Sequence, residues 1–290
     1  MYQSKNALIV LNYNDSTTTS KFVEMAKKSK SIEHIVVVDN CSPDGSYEKL
    51  KGLEDERVVV IESSKNGGYS YGNNFGCRYA IENYHPQMLI VSNPDVTFEN
   101  DVIDSMSKVL EENERIGVVA PIVNQGYNIW NLPGFVGLIE SIFLIWFNLD
   151  KKRIKNNLMN LDCEWTRVGV VEGSFWAIKV AAYEEADGFD ERTFLYCEEN
   201  IFAKRLETKG YFEVALNACR YNHFHSVSIK KHYGGKVKAF KNFHASMLVY
   251  LKYYLNAGML KRLIFELAYG IGYVERFFYD CVMAVKGLKK

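Results

Sequence analysis

Four short apolar runs, at residues 7–11, 35–38, 58–61 and 88–91, punctuate the first hundred positions. None alternates apolar with polar residues, the pattern of strands covered on both faces and hence of a parallel sheet between helices. Helically spaced stretches separate them; one carries Phe22, Met25 and Ala26 on one face and Lys27 and Lys28 outside. This alternation predicts an α/β domain over the first 125 residues. In such sheets the ligand crevice opens beyond the carboxyl ends of the strands. The runs end at Asn12, Asp39-Asn40 and Asn93-Pro94-Asp95, so polar side chains gather on that edge.

Beyond residue 165 the pattern changes. Residues 168–180 read as two short strands around Glu172-Gly173-Ser174, and Gly188-Phe189-Asp190-Glu191 as a turn. Residues 198–209 read as a helix stopped by Gly210, and 212–216 as a strand leading to Asn222-His223-Phe224-His225. From about 240 to 285 the chain is predicted helical, with Leu260, Leu263, Leu267, Ile271, Val274, Phe278 and Cys281 forming an apolar stripe. Residues 129–149 have about the length of a membrane span. They include Asn131, Pro133, Glu140 and Asn148, and a charge near mid-span costs roughly 2.5–3.5 kcal/mol, so a buried or interfacial helix is expected.

Composition narrows the class. With 290 residues, 48% hydrophobic and 24% charged, the chain excludes disorder as its main state. Lys plus Arg (35) equals Asp plus Glu (35), so no global field points to nucleic acid. The balance is uneven along the chain. Between Val214 and Phe265 there is no acid, while Arg220, Lys230, Lys231, Lys236, Lys238, Lys241, Lys252, Lys261 and Arg262 contribute positive charge. That stretch reads either as a solvated helix face or as a surface for phosphates or an anionic membrane. The six cysteines form no CxxC pair, and reduced, packed thiols in a cytoplasmic protein are expected. Polar residues 1–6 lead straight into a strand, so no signal peptide is expected.

Several residues carry candidate chemistry. Asp95, at a strand end, has the oxygen ligands that Mg²⁺ or Mn²⁺ prefers, although Asn-Pro-Asp is also a common turn. Asp39 could hydrogen-bond a base or ribose. The segment from Lys65 to Gly76 is rich in glycine and asparagine, offering close backbone approach and amide hydrogen bonds, or merely a surface loop. It has neither dinucleotide-fingerprint nor phosphate-loop spacing. Glu198-Glu199 opens a helix, where the dipole alone favours acids, or supplies a general base. His223 or His225 could complete a cation site beside a carboxylate.

Taken together, Ile35-Val36-Val37-Val38-Asp39-Asn40, the stretch Asn66-Gly67-Gly68 to Asn74, Asn93-Pro94-Asp95-Val96, Gly188-Phe189-Asp190-Glu191 and Tyr196-Cys197-Glu198-Glu199 closely resemble the family 2 inverting glycosyltransferases, particularly their bacterial rhamnosyltransferase-like branch. The resemblance covers roughly residues 5–228, with the motifs in family order. It implies a GT-A fold: a Rossmann-like, nucleotide-sugar-binding, mostly parallel sheet with helices on both faces. Residues 1–228 would be the catalytic domain, with 127–166 an acceptor-side or interfacial insertion. Residues 229–290 would be a basic, amphipathic helical extension.

It further implies a nucleotide-sugar donor and a divalent cation (Mg²⁺ or Mn²⁺). Asn12, Asp39, Asn66, Gly68, Asn74 and Asn93 would line the donor site, Asp95 and His223 would hold the metal, and Glu199 would be the base. The sequence also departs from the family. Asn93 stands where the first motif aspartate is usual, Glu199 where Asp is commoner, Ile201 where another aspartate is common, and Ser226 where His223-Phe224-His225 would be followed by glycine. The implied reaction is displacement at the anomeric carbon with inversion. Its acceptor would be a bacterial surface glycan or lipid-linked glycan, reached in the cytoplasm with peripheral contact on the inner membrane face. A nucleotidyltransferase of similar fold and a non-catalytic nucleotide-sugar-binding protein are the alternatives.

Overall fold

The computed structural model describes residues 5–126, 128–144, 162–224 and 236–285. The predicted apolar runs become β1 (Asn6–Asn12), β2 (His34–Asp39), β3 (Val58–Glu62) and β4 (Met88–Ser92). They pair in parallel in the order β3-β2-β1-β4, and the register sets Asn12 beside Asp39. The sheet continues through β10 (Phe175–Lys179), β6 (Ile116–Val123), β11 (Phe212–His223) and β5 (Val96–Phe98), with β8 (Trp165–Val168) also on β11. Antiparallel β10 links β4 to β6, so β6 and β11 run in the same direction as the first four strands. β5 and β8 run against β11. A mostly parallel sheet results, as expected.

Alternate residues of the strands feed two cores. Leu8 and Val10 face helices α1 (Ser16–Ala26), α2 (Ser46–Lys51) and α4 (Asp101–Glu112), meeting Phe22, Leu50 and Met106. Ala7 and Ile9 face α3 (Gly68–Tyr84), α6 (Val180–Glu185) and α7 (Glu198–Thr208), meeting Cys77, Ala182 and Phe202. Helices therefore cover both faces. Burial of both faces explains why the strands read as unbroken apolar runs.

The structure differs from expectation in four places. The glycine- and asparagine-rich segment becomes helix from Gly68 onward rather than loop. A Cβ at Gly72 would collide with Leu11, and one at Gly76 with Val38 and Ile9. Those glycines let α3 lie close against the sheet.

The strand expected at 212–216 runs on to His223, with irregularities at Phe212/Glu213 and Leu216/Arg220. The span-length segment is not one helix. It gives β7 (Ile129–Trp130), paired with β9 (Val170–Val171), and then α5 (Phe135–Ile142) after Pro133-Gly134. Its last residues, 145–149, lie outside the described residues. Among the described residues no helix is long and apolar enough to cross a membrane.

The C-terminal region forms two helices, α8 (Lys236–Tyr253) and α9 (Met259–Val285), separated where Asn256 takes a positive φ of 47° and Gly258 follows. A third core joins Phe240, Met247, Tyr250 and Phe265 of these helices to Leu138 and Ile142 of α5 and Ile201 of α7. The extension is thus packed onto the α/β domain beside α7. The predicted stripe on α9 is not what packs there: Leu260, Leu263, Leu267, Ile271, Val274, Phe278 and Cys281 are all exposed.

Candidate active site

At the carboxyl edge of β1 and β2 the polar residues bind one another. Asn12 and Asp39 are fully buried. Asn12 Nδ2 donates to Asp39 Oδ1 at 2.6 Å, and Thr19 Oγ1 donates to Asn12 Oδ1 at 2.7 Å. Ser42 donates twice to Asp39, from its backbone N to Oδ2 (2.8 Å) and from Oγ to Oδ1 (2.7 Å). Next to them Asn40 Nδ2 donates to Asn66 Oδ1 and to the Gly68 carbonyl, both at 3.1 Å, while Ser63 Oγ donates to Asn40 Oδ1. Buried polar groups without such partners would cost about 1–3 kcal/mol each. Asp39, Asn12, Asn66 and Gly68 are therefore brought together as one rigid rim.

Gly68 has a second duty. Its φ is +88°, and a Cβ there would run into the backbone of Phe194. Tyr69 N donates to the Phe194 carbonyl at 2.8 Å, tying the start of α3 to the loop that leads to Glu198. Asn74 lies apart from the rim. Its amide donates to the Phe189 carbonyl (2.8 Å) and Glu191 (2.9 Å), and its oxygen accepts from Tyr183 OH (2.7 Å) and Phe189 N (2.9 Å). All four of its bonds are made within the fold. Asn74 thus pegs the 188–191 turn.

Across the crevice, sheet pairing assembles a second group. Antiparallel β5 and β11 set Val96 opposite His223, which carries His223 to Asp95. His223 Nε2 lies 3.2 Å from Asp95 Oδ1 and Nδ1 lies 3.2 Å from Glu172 Oε1. Burial works against charge on this ring, yet the two carboxylates raise its pKa to about 9. The ring thus stands between two acids. Asn93 occupies the neighbouring position, its backbone N donating to the Ser174 carbonyl at 2.8 Å. His225 lies outside the described residues.

Glu198 and Glu199 open α7, as the sequence predicts. Glu198 is buried, one of its oxygens has no hydrogen-bond partner, and burial with the adjacent Glu199 charge lifts its pKa well up. Glu199 is partly exposed at the crevice, its Oε1 3.4 Å from Gly173 N. Burial chiefly, with repulsion from Glu172, raises it to about 7. Beneath lies Glu213 of β11, buried and accepting from Val171 N at 2.7 Å, its pKa pushed up by burial and by Glu199.

Sequence reading missed the roles of Glu172 and Glu213. Glu172 was visible only as part of a bend. Glu213 sat in a strand with no pattern to mark it.

This donor set fits a hard divalent cation. Asp95 supplies oxygen, His223 a ring nitrogen, and Glu172 a carboxylate to orient the ring from its far side. Among the described residues no group of three or more potential ligands is arranged to hold a metal, and Asp95 and His223 offer two. The acids also make the site repel a diphosphate unless a cation intervenes. A cavity of about 460 Å³ lies elsewhere, lined by Lys5, Pro86, Gln87 and Lys179 near the start of β4, at the opposite end of the strands.

The chain is similar in sequence and fold to known glycosyltransferases. The low-salt glycan biosynthesis hexosyltransferase Agl10 of Haloferax volcanii is 26% identical over 202 residues, 69% of this chain and 60% of the relative. Rhamnosyltransferase WbbL of Escherichia coli K12 is 24% identical over 168 residues, 54% of this chain and 61% of the relative. The chain therefore spans about 60% of the length of each. A mannosyltransferase of Pyrobaculum calidifontis, solved with GDP-Man and Mn²⁺, superposes with a TM-score of 0.60 at 13% identity, covering 100% of this chain and 77% of the other. GalNAc-T7, solved with UDP, GalNAc and Mn²⁺, gives 0.59 at 14% identity, covering 86% and 49%. These two show a shared GT-A fold. The model of the family described as "Glycosyl transferase family 2" matches residues 7–186, well over half of the sequence, and the chain belongs to that family.

Proposed function

We propose that this chain is a divalent-cation-assisted, inverting glycosyltransferase that moves a sugar from a nucleotide-diphosphate donor to a hydroxyl of a glycan acceptor, free or lipid-linked, in the cytoplasm. The observation that carries the reading is Glu199, a partly exposed carboxylate held near neutrality across Glu172-Gly173 from the Asp95–His223 pair. A general base works best with a pKa near the operating pH. Family membership and the likeness to a hexosyltransferase and a rhamnosyltransferase support the reaction class. The Mn²⁺ in two neighbours of the same fold supports the cation.

In this reading Glu199 accepts the acceptor's hydroxyl proton as that oxygen bonds to the anomeric carbon. The bond from that carbon to the diphosphate breaks on the opposite face, and its electron pair leaves with the nucleoside diphosphate. One displacement inverts the centre. A cation held by Asp95 and His223 would neutralise charge on the departing group. Glu172 orients the His223 ring, and the Asn12–Asp39–Ser42 rim with Asn66, Gly68 and Asn93 shapes the donor's nucleotide end.

A panel of UDP-, dTDP- and GDP-sugars, with and without Mn²⁺, tests the proposal through the released nucleotide. Cation-dependent release of a nucleoside diphosphate is expected, lost in Glu199→Gln. Release of the sugar 1-phosphate, with the nucleoside monophosphate bonded to the acceptor, would mean nucleotidyl transfer. Binding without turnover on any donor–acceptor pair would mean a non-catalytic protein.

A further inference from the structure

The C-terminal helix α9 carries a surface that the fold does not use. Leu260, Leu263, Leu267, Ile271, Val274 and Phe278 are each between 51% and 71% exposed. They recur every three or four residues, the spacing of one helix face. At 3.6 residues per turn, exposed Phe277 and Ile264 on either side widen that face to an arc of about 140°. No charged residue between Met259 and Val282 falls within it. The opposite face holds Phe265, Ala268 and Arg276 against the rest of the molecule. Scattered apolar residues on a surface are ordinary, but a continuous stripe about five turns long is not.

Charge indicates what covers it. Lys261 and Arg262 stand exposed at the start of α9, Lys252 is exposed just before it, and Lys286, Lys289 and Lys290 follow its end. The helix's acids lie off the arc, and two are engaged: Glu266 pairs with His244 at 3.0 Å, and Glu275 accepts from Leu144 N at 3.0 Å. In sequence, basic residues therefore flank the stripe at both ends. A second copy of this helix, parallel or antiparallel, would set cation against cation at each end. A bilayer surface bearing anionic headgroups takes both ends at once and receives the apolar face below them.

We propose that α9 is an interfacial helix that seats this protein on an anionic membrane, lying in the plane of the surface. This docking does not rest on the transferase reading. It would nonetheless bear on the site, because α8 joins α9 to the loop before Glu198. Ser246 Oγ donates to the Leu195 carbonyl at 2.9 Å, and Phe243 meets Tyr196 edge-on with ring centres 6.2 Å apart. A seated α9 would hold the crevice at a constant height and tilt above the lipid.

Vesicle co-sedimentation of the full chain tests the proposal, comparing phosphatidylcholine alone with phosphatidylcholine containing phosphatidylglycerol. Binding to the anionic vesicles at low salt is expected to exceed binding to the neutral ones by about tenfold and to fall in high salt. Leu267→Glu with Ile271→Glu should lower it by about tenfold, leaving the thermal transition and nucleotide release unchanged, since both side chains already face solvent. The proposal is overturned if the wild-type chain ignores anionic vesicles at low salt, or if the double variant binds them equally well. It is also overturned if light scattering shows a dimer that the double variant dissolves while neither form binds vesicles, because a second copy would then be the occupant. Loss of nucleotide release with vesicle binding intact would speak against the transferase reading alone.

Discussion

The two sides of the crevice are built on opposite terms. On the β1–β2 side, Asn12, Asp39, Asn40, Ser42 and Ser63 answer one another, donor for acceptor, in a network made without any ligand. On the other side Asp95 and Glu172 flank one histidine, His223, and Glu199 beside Glu172 is neighboured in turn by Glu198 and Glu213. Three of these carboxylates have raised pKa values, and Glu198 and Glu213 each bury an oxygen with no partner. The first side is complete and stabilises the fold. The second retains electrostatic tension that protons relieve in the free protein and that cation and substrate would relieve in turnover. Groups with shifted pKa values cluster where chemistry is done, and here they cluster on one side only.

The sharpest way to break this contrast is at Asp95. Asp95→Ala should abolish cation-dependent turnover, because position 93 is an asparagine and offers no replacement carboxylate. Mn²⁺ titration of nucleotide release checks it; wild-type turnover with the same Mn²⁺ dependence would move the metal elsewhere.

Next is Glu199→Gln, which keeps shape and removes the base. A kcat loss of about 10²-fold or more is expected with donor affinity largely intact, and Glu198→Gln should cost less. Reversed losses would make Glu198 the base.

The same residue predicts a pH profile. In the proposed mechanism Glu199 acts when deprotonated, so kcat/KM should rise through about pH 7, and Glu199→Gln should remove that inflection. Stability has the opposite sign. A carboxyl raised in the folded state binds more protons there than in the unfolded chain, so its contribution falls as pH rises from about 4.5 to about 7. Melting curves of Glu199→Gln should therefore decline less over that window than those of the wild type.

Glu172→Gln should weaken Mn²⁺ activation by roughly tenfold, the usual cost of losing a carboxylate that orients a ligating histidine. On the quiet side the expected loss is of stability. Asp39→Ala takes away the carboxylate that accepts from Asn12 Nδ2 and from the Ser42 N and Oγ donors, and should cost about 1–3 kcal/mol in denaturant unfolding. A melting temperature unchanged by Asp39→Ala would erase the distinction between the two sides.

The first four strands could be read directly because each is covered on both faces and no polar residue interrupts it. The same logic located Asn12, Asp39 and Asp95 at strand ends. Glu199 was legible because a helix start follows a turn there. Other features depended on tertiary pairing. Glu172 and Glu213 matter through their neighbours, from β5 and β11 and from β9, and no local pattern reports that. Asn74 looked like a ligand amide because its segment is glycine-rich. Those glycines instead admit close helix–sheet packing at Leu11, Ile9 and Val38. The stripe on α9 was plain in the sequence. Its outward direction was not, because periodicity defines a face without saying what that face meets.

The pairing of Val96 with His223 has a consequence for the order of assembly. Asp95 and His223 lie about 130 residues apart in sequence and come together only when β11 has docked against β5. Contacts of such long range carry a large loop-closure cost and form late. A partly folded chain holding only the first four strands would have Asp95 without its partner. Cation binding would then favour the finished sheet over every intermediate that lacks β11, and so act as a checkpoint on completion as well as an aid to chemistry.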